Sequence, residues 1–185
     1  FEEIGNYTRD LGIVAQVMGV EDKAQPIITQ VQNTLDKIEA RVGNITSAEQ
    51  VTAYFSSHDA YHAYGSTTFE HAQIVTANGK NVADSITTWL PQVSAEQLIT
   101  WNPSVMFTLE GTDTAAILND NQIKSVSAIA NQKVYSIPEA GWDFGSMRAI
   151  FAIEWMASKL YPERFADIDI NEEIDSFYQA VYGID

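Results

Sequence analysis

The segment SSHDAYHAYGSTT carries the densest group of side chains that can contact a metal complex. It contains His58, Asp59, Tyr61, His62 and Tyr64. It follows a predicted strand, and ligands of open α/β sheets gather at the carboxyl ends of strands. Histidine and tyrosine ligate ferric iron and haem, and tyrosine rings stack on flat ligands. We therefore predict ligand contacts for Tyr61, His62 and Tyr64; the alternative is that these aromatic side chains only close the loop over the core.

The letters HDAYH also resemble the zinc-hydrolase signature H-E-x-x-H, with Asp in place of Glu, which would make His58 and His62 metal ligands. That chemistry requires both histidines on one helical face, a third ligand and a carboxylate that reaches the metal-bound water. The flanking Ser-Ser and Ala-Tyr-Gly favour a loop instead. We predict no metal site and no enzyme, and a metal-dependent hydrolase stays a remote alternative.

A second group of candidate residues lies around the predicted start of a helix, whose predicted N-cap is Ser146. The group comprises Glu139, Trp142, Asp143, Phe144 and Arg148. Trp142 is a candidate for stacking on a ligand, and Arg148 for pairing with a carboxylate or an oxyanion near helix N–H groups. The alternative is equally open: Trp142 packs in the core and Arg148 pairs with Asp143 or Glu139.

Composition narrows the class of protein. Ten Lys and Arg against 25 Asp and Glu give a formal net charge of −15, which repels phosphate backbones and anionic headgroups. We therefore expect neither nucleic acid nor a bare membrane surface as a partner. The chain contains no Cys, so it forms no disulfide and offers no thiolate ligand. Its 185 residues with 45% hydrophobic content suit one main core.

The hydrophobic periodicity predicts strands alternating with helices. Apolar residues at helical spacing predict helices over 8–19 and 21–42. Further on, short apolar runs predict strands, and capped periodic segments between them predict helices. The predicted strands are 51–55, 105–109 and 133–137; the predicted helices begin after Thr68, Ser94 and Ser146, and a last one lies in NEEIDSFYQAVYG. This pattern implies an α/β fold with a mostly parallel sheet covered on both faces.

Four segments together resemble one family. They are IVTANGKNVAD, WLPQVSAEQLITWNPSVMFTLEGTD, AIANQKVYSIP and GWDFGSMRAIFAIEWMASKLYPERF. Their order and spacing resemble those of periplasmic substrate-binding proteins that deliver iron-siderophores, haem or vitamin B12 to ABC importers. One departure is that many relatives have Ser-Pro-Arg where this chain has Ser146-Met147-Arg148. The resemblance covers nearly the whole chain.

The resemblance implies two Rossmann-like lobes joined by one long helix, with the ligand in the cleft between them. Residues 1–43 would be a helical lead-in with the interlobe helix, and 44–185 a three-layer, carboxy-terminal α/β lobe; the amino-terminal lobe is absent from this chain. The implied protein is an extracytoplasmic monomer, periplasmic or lipid-anchored. It would capture an iron complex (siderophore or haem) or a corrinoid and pass it to the permease subunits. The alternative cargo is a metal ion or an oxyanion such as molybdate.

The resemblance also implies a docking role for Glu96. In the resembling proteins a glutamate within a V-S-x-E run meets arginines of the importer's membrane subunits, and the matching run here is Val93-Ser94-Ala95-Glu96. A purely structural interpretation is available as well. With Ser94 as N-cap, Glu96 lies in the first helical turn, where a carboxylate is stabilised by the helix dipole without any partner.

Overall fold

The computed structural model describes residues 4–138, 142 and 148–182. In this part of the chain, eight α-helices alternate with four strands. The helices are α1 (Tyr7–Met18), α2 (Glu21–Val42), α3 (Phe69–Thr76), α4 (Ala95–Trp101), α5 (Thr114–Leu118), α6 (Ser127–Ala130), α7 (Ala149–Leu160) and α8 (Ile170–Tyr182); the strands are β1 (Thr52–Ser56), β2 (Lys80–Asn81), β3 (Val105–Thr108) and β4 (Val134–Ser136). No helix in these ranges combines the length and apolar character that crossing a membrane requires.

The four strands form one parallel sheet in the order β2-β1-β3-β4. In the register of the sheet, Ser56 lies beside Thr108 and Thr108 beside Ser136, so three strands end in line. The parallel sheet and the α/β class predicted from the sequence are confirmed. The loops that follow β1, β2, β3 and β4 therefore begin at a common edge of the sheet.

Side chains alternate between the two faces of the sheet, as the period of a strand requires. Phe55 and Phe107 belong to a core cluster that also contains residues of α2, α3, α7 and α8. Tyr54 and Met106 belong to a second cluster, together with residues of α4, α5 and α6. Helices thus cover both faces, which confirms the three-layer, Rossmann-like arrangement.

Helix α7 is buried almost all round. The large apolar side chains along the helix are buried; they include Ile150, Ile153, Trp155, Met156 and Leu160. Glu154, however, has no exposed surface either, because α2, α3 and α8 all contact α7. The amphipathic pattern places a charged residue towards water, so the sequence did not predict this buried carboxylate.

Glu154 faces a lysine that it shares with a second carboxylate. Lys37 Nζ of α2 lies 2.9 Å from Glu154 Oε1 and also pairs with Glu173 of α8. Although the ion-pair distance is short, neither carboxylate oxygen of Glu154 accepts a well-oriented hydrogen bond. Burial raises the pKa of Glu154 to about 7, with the charge of Glu173 acting in the same direction and Lys37 opposing it. Burial alone lowers the pKa of Lys37, but its two carboxylate partners more than offset this and raise it.

Helix α2 spans Glu21–Val42, as predicted, and is joined firmly to the sheet. Val31, Ile38 and Val42 are buried in the same core cluster as the strands. Asn78 Nδ2 donates to the carbonyl oxygen of Val42 at 2.5 Å. Arg41 holds Asp167 through two hydrogen bonds of 2.6 and 2.8 Å. A domain boundary after residue 43 stays a prediction, but the described packing places α2 and the sheet in one core.

The structure differs from the sequence prediction mainly in its short elements. β2 has two residues, α5 has five and α6 has four, which is too short for a hydrophobic period to appear. The predicted caps Thr68 and Ser94 are confirmed, because their hydroxyl oxygens accept from His71 N and Gln97 N. The predicted cap Ser146 lies outside the described residues.

Candidate functional site

Two loops at the carboxyl edge of the sheet are joined by backbone hydrogen bonds. Ala63 N donates to Pro91 O at 3.1 Å, and Val93 N donates to Tyr61 O at 2.7 Å. At Gly65 a Cβ atom would lie 2.2 Å from Ile86 O, so only glycine permits this approach. We call the pair, residues 57–68 after β1 and 84–93 after β2, the loop platform.

Tyr61 lies half-buried on the loop platform as a hydrogen-bond donor. Its hydroxyl donates to Asp120 Oδ2 at 2.5 Å, and its backbone N–H donates to Asp59 Oδ1 at 2.7 Å. Burial, the hydrogen bond to Asp120 and the nearby carboxylates raise the pKa of Tyr61 to about 12. At neutral pH the side chain is therefore a phenol, suited to hydrogen bonding. Its contact with a ligand stays a prediction.

The two histidines of the segment do not form the zinc-hydrolase arrangement. Residues 57–64 form no helix, so His58 and His62 share no helical face. His62 Nδ1 lies 2.8 Å from Asp59 Oδ2 with 39% of its side chain exposed, whereas His58 Nδ1 lies 3.4 Å from Thr112 Oγ1. Among the described residues, no group of three His, Asp or Glu side chains could hold a metal ion. His62 is accessible at the platform surface, and its ligand contact stays a prediction.

Tyr64 forms the inner part of an aromatic stack. It is 5% exposed and meets Phe55 of β1 edge-on, with ring centroids 5.5 Å apart. On its other side it meets Trp89 edge-on at 6.0 Å. Trp89 itself is 71% exposed. The placement of Tyr64 agrees with the alternative of loop closure over the core, while Trp89 is an accessible aromatic residue that sequence reasoning did not single out.

Trp142 and Arg148, the two predicted ligand-binding residues of the second group, come from the segment that precedes α7. Trp142 is 1% exposed and packs 6.3 Å from Phe151, and its carbonyl oxygen accepts from Gln73 Nε2 at 2.5 Å. This placement agrees with the packing alternative; stacking on a ligand would require the side chain to leave the core. Arg148 immediately precedes α7, with Nη1 3.5 Å from the hydroxyl of Tyr178.

The candidate partners of Arg148 in the sequence are Asp143 and Glu139. Glu139, Asp143 and Phe144 lie outside the described residues, so the internal ion pair and the ligand contact of Arg148 both stay predictions. Arg148 follows β4, which is separated from β1 by β3 in the sheet. It immediately precedes α7, which packs against α3, the helix that follows the first platform loop.

Glu96 lies exposed in the first turn of α4, directly after the second platform loop. Hydrogen bonds from its own backbone N–H and from the hydroxyl of Ser94 lower the pKa of its carboxyl group. Both interpretations of Glu96 require an accessible carboxylate at this helix start. Its position alone therefore does not distinguish docking from a dipole interaction.

A cavity of about 900 Å³ lies elsewhere, between α7, α8 and the segment that joins them. Trp142, Trp155 and Lys159 line it, but none of Tyr61, His62 and Tyr64 does. Because the loops after β1 and β2 carry accessible His62 and Trp89, we place the candidate ligand site at the loop platform.

The chain belongs to the periplasmic binding protein family, whose pattern matches residues 2–140. It is 26% identical over 175 residues to the molybdate-binding protein MolA of Haemophilus influenzae, covering 92% of this chain and 50% of MolA. The chain thus spans about half the length of the curated relatives it matches.

Solved structures show the same fold. An ABC transporter solute-binding protein from Sulfurospirillum deleyianum superposes with a TM-score of 0.89 at 25% identity, over 100% of this chain and 59% of that protein. CeuE of Helicobacter pylori, in a complex named for nickel and histidine, gives a TM-score of 0.85 at 22% identity over 100% of this chain and 60% of CeuE. MolA and the Sulfurospirillum deleyianum protein are both named as binding proteins.

Proposed function

We propose that the chain is the carboxy-terminal lobe of the substrate-binding component of an ABC importer. In this proposal a small metal-containing cargo is held between this lobe and a preceding one, and is passed to the permease subunits outside the cytoplasm. The observation that carries the proposal is the family match together with the parallel α/β lobe. Binding and delivery, rather than catalysis, is the proposed role.

An exposed apolar face on α1 supports a preceding lobe. The four residues on it are Ile13 (53% exposed), Val14 (41%), Val17 (82%) and Met18 (68%). Apolar side chains gathered on one exposed face typically mark a surface that another part of a protein covers. The proposed first lobe is the element that covers this face, in keeping with relatives twice the length of this chain.

Two cargo classes follow from different observations. The resemblance of the sequence motifs favours an iron complex or a corrinoid, which His62 and Tyr61 suit as hydrogen-bonding or ligating residues. The similarity to MolA favours molybdate, and Arg148 is the predicted site residue that suits an oxyanion. Both cargoes fit the same architecture and the same importer.

The test is a titration of the full-length, two-lobed protein. Haemin, ferric siderophores, cobalamin, a nickel–histidine complex and molybdate are added in turn, while absorbance and tryptophan fluorescence are followed. We expect saturable, one-to-one binding of one class with a dissociation constant in the micromolar range or below. Saturation by none of these compounds, in a protein shown to be folded, would contradict the proposed function.

Glu96→Gln in the full-length protein is expected to leave cargo affinity intact and to depress ATP-coupled uptake several-fold. The reason is that an interfacial charge pair with permease arginines loses one member, while the neutral side chain keeps its shape. The measurement is uptake of labelled cargo into vesicles that contain the permease, with the corresponding first-lobe glutamate also neutralised.

The matched control for Glu96 is Glu172→Gln. Glu172 is also exposed in the first turn of a helix, α8, so it shares the dipole environment of Glu96. If Glu96 is only a dipole partner, both variants will lose a little stability and transport normally. Normal uptake by the Glu96 variant would therefore remove the docking role.

A further inference from the structure

The cavity of about 900 Å³ between α7, α8 and the segment that joins them has the size of a small-molecule site. Much of its wall consists of apolar side chains. They include Trp155, Phe165, Ile168, Ile170 and Ile174. Burial of an aromatic or aliphatic group against such a wall is favourable. The cavity therefore suits a ligand that has an apolar body.

Lys159 brings an ammonium group to this cavity without a carboxylate partner. The half-buried side chain lines the cavity, and its Nζ lies 5.5 Å from the ring centroid of Tyr135 and 5.6 Å from that of Trp155. Among the described residues Lys159 forms no ion pair, whereas Lys37 pairs with two carboxylates. The ammonium of Lys159 is thus available to an anionic group of a ligand.

Trp142 supplies a second donor that lacks an acceptor. It lines the same cavity although it is only 1% exposed. Its buried Nε1–H donates to no acceptor in the described part of the chain. Buried donors are normally satisfied, because an unsatisfied one costs free energy. A ligand oxygen would satisfy this N–H, whereas a ligand ammonium group would not.

Carboxylates on the α8 side of the cavity limit the charge of the ligand. Asp167 accepts two hydrogen bonds from Arg41, of 2.6 and 2.8 Å, and is thereby neutralised. Asp169 accepts from a backbone N–H at the start of α8 at 2.9 Å, and Asp175 of α8 is exposed. All three aspartates line the cavity. One anionic group can pair with Lys159, but a second one would be repelled by these carboxylates.

We propose that this cavity is a second binding site, for a small organic monocarboxylate with an aromatic body. The carboxylate accepts from Lys159 Nζ and Trp142 Nε1, and the body packs on Trp155 and the isoleucines of the opposite wall. Donation by Nε1 leaves the ring of Trp142 in the core. The site is separate from the loop platform and does not depend on the proposed importer role.

The test is a titration of the full-length, two-lobed protein with phenylacetate, followed by tryptophan fluorescence. The matched probes are phenylacetamide, phenethylamine and phenylsuccinate. We expect saturable, one-to-one binding of phenylacetate and about tenfold or weaker binding of the neutral, cationic and dianionic probes, because each loses the charge-assisted hydrogen bonds or adds repulsion.

Variants of Lys159 test the assignment of the ammonium group. Lys159→Met is expected to weaken phenylacetate binding about tenfold, and Lys159→Arg to keep most of the affinity. Lys124→Met is the control, because Lys124 is an exposed lysine between α5 and α6 that does not line the cavity; it is expected to change nothing. Trp142→Phe removes the indole N–H and is expected to weaken binding several-fold.

Three outcomes would overturn the inference. They are no saturation of the folded wild type by phenylacetate, equal affinity for phenylacetate and phenylacetamide, and unchanged phenylacetate affinity in Lys159→Met. Thermal unfolding shows whether each variant is folded, and the Lys159 variants decide the question if Trp142→Phe does not fold. All three outcomes leave the proposed importer function intact, since that function is tested with its own cargo.

Discussion

The two-lobed protein is expected to bind its cargo about a thousandfold more tightly than the 185-residue chain does alone. In a cleft shared by two lobes, each lobe supplies part of the contacts and both exclude water from the ligand. The loop platform offers contacts from a single edge of one sheet, so the ligand stays largely hydrated. A loss of ~4 kcal/mol of contacts corresponds to about three orders of magnitude in the dissociation constant.

The measurement is a pair of titrations with the same cargo, followed by tryptophan fluorescence. Thermal unfolding of the short chain serves as the control, because a cooperative transition shows that weak binding does not arise from an unfolded lobe. Submicromolar affinity of the 185-residue chain for its cargo would contradict the prediction. It would mean that this lobe holds a complete site.

Lys37→Met is expected to lower the free energy of unfolding by about 3 kcal/mol at pH 8, because it leaves the buried Glu154 without its cation. The charged groups around the carboxylate are Lys37 and Arg41 of α2, Glu173 of α8 and, farther along, Asp167. With Lys37 removed, two carboxylates face each other beside α7. The measurement is urea unfolding of the wild type and the variant at several pH values.

The pH dependence follows from the raised pKa of Glu154. Folded Glu154 holds its proton up to about pH 7, whereas in the unfolded chain it loses it near its ordinary value of about 4.3. This group therefore contributes stability that is fully present below about pH 4.3 and is lost as the pH rises through about 7. The loss caused by Lys37→Met is expected to shrink to about 1 kcal/mol at pH 5, where Glu154 is protonated and uncharged.

Glu154→Gln supplies the matched control for this cluster. The neutral amide keeps the shape of the side chain and removes the buried charge, so Glu154→Gln is expected to flatten the pH dependence between about pH 4.3 and 7. Added to Lys37→Met, it should restore most of the stability lost at pH 8. If Lys37→Met lowers the free energy of unfolding equally at pH 5 and pH 8, ionisation of Glu154 is not the cause of the destabilisation.

Much of the fold could be predicted because its signals are local. The apolar spacing of α2 gave its bounds, and the predicted caps Thr68 and Ser94 make the expected hydrogen bonds. The burial of Glu154 could not be predicted, because α8 and two helices from distant parts of the chain, α2 and α3, all pack against α7. Local periodicity describes one helix at a time and does not report how many neighbours it has.

The candidate site was predictable only in part, for a similar reason. The segment that carries Tyr61, His62 and Tyr64 was recognised from residue types and from its place after a strand. Which of its aromatic rings reaches solvent depends on a second loop, more than twenty residues further along, that packs against the first. Tyr64 is covered and Trp89 is exposed for that reason. The residue pattern within either loop alone does not predict this difference in exposure.

The hydrogen bonds that join the end of α2 to the rest of this lobe also bear on how the proposed two-lobed protein would move. The carbonyl of Val42 is held by Asn78, and Arg41 is held by Asp167, so the junction after α2 has no freedom to act as a hinge. At the other end of the helix, Tyr7 of α1 stacks on Phe69 of α3, which adds α1 to the same unit. In the proposed two-lobed protein we therefore expect α1 and α2 to move together with this lobe as one rigid body.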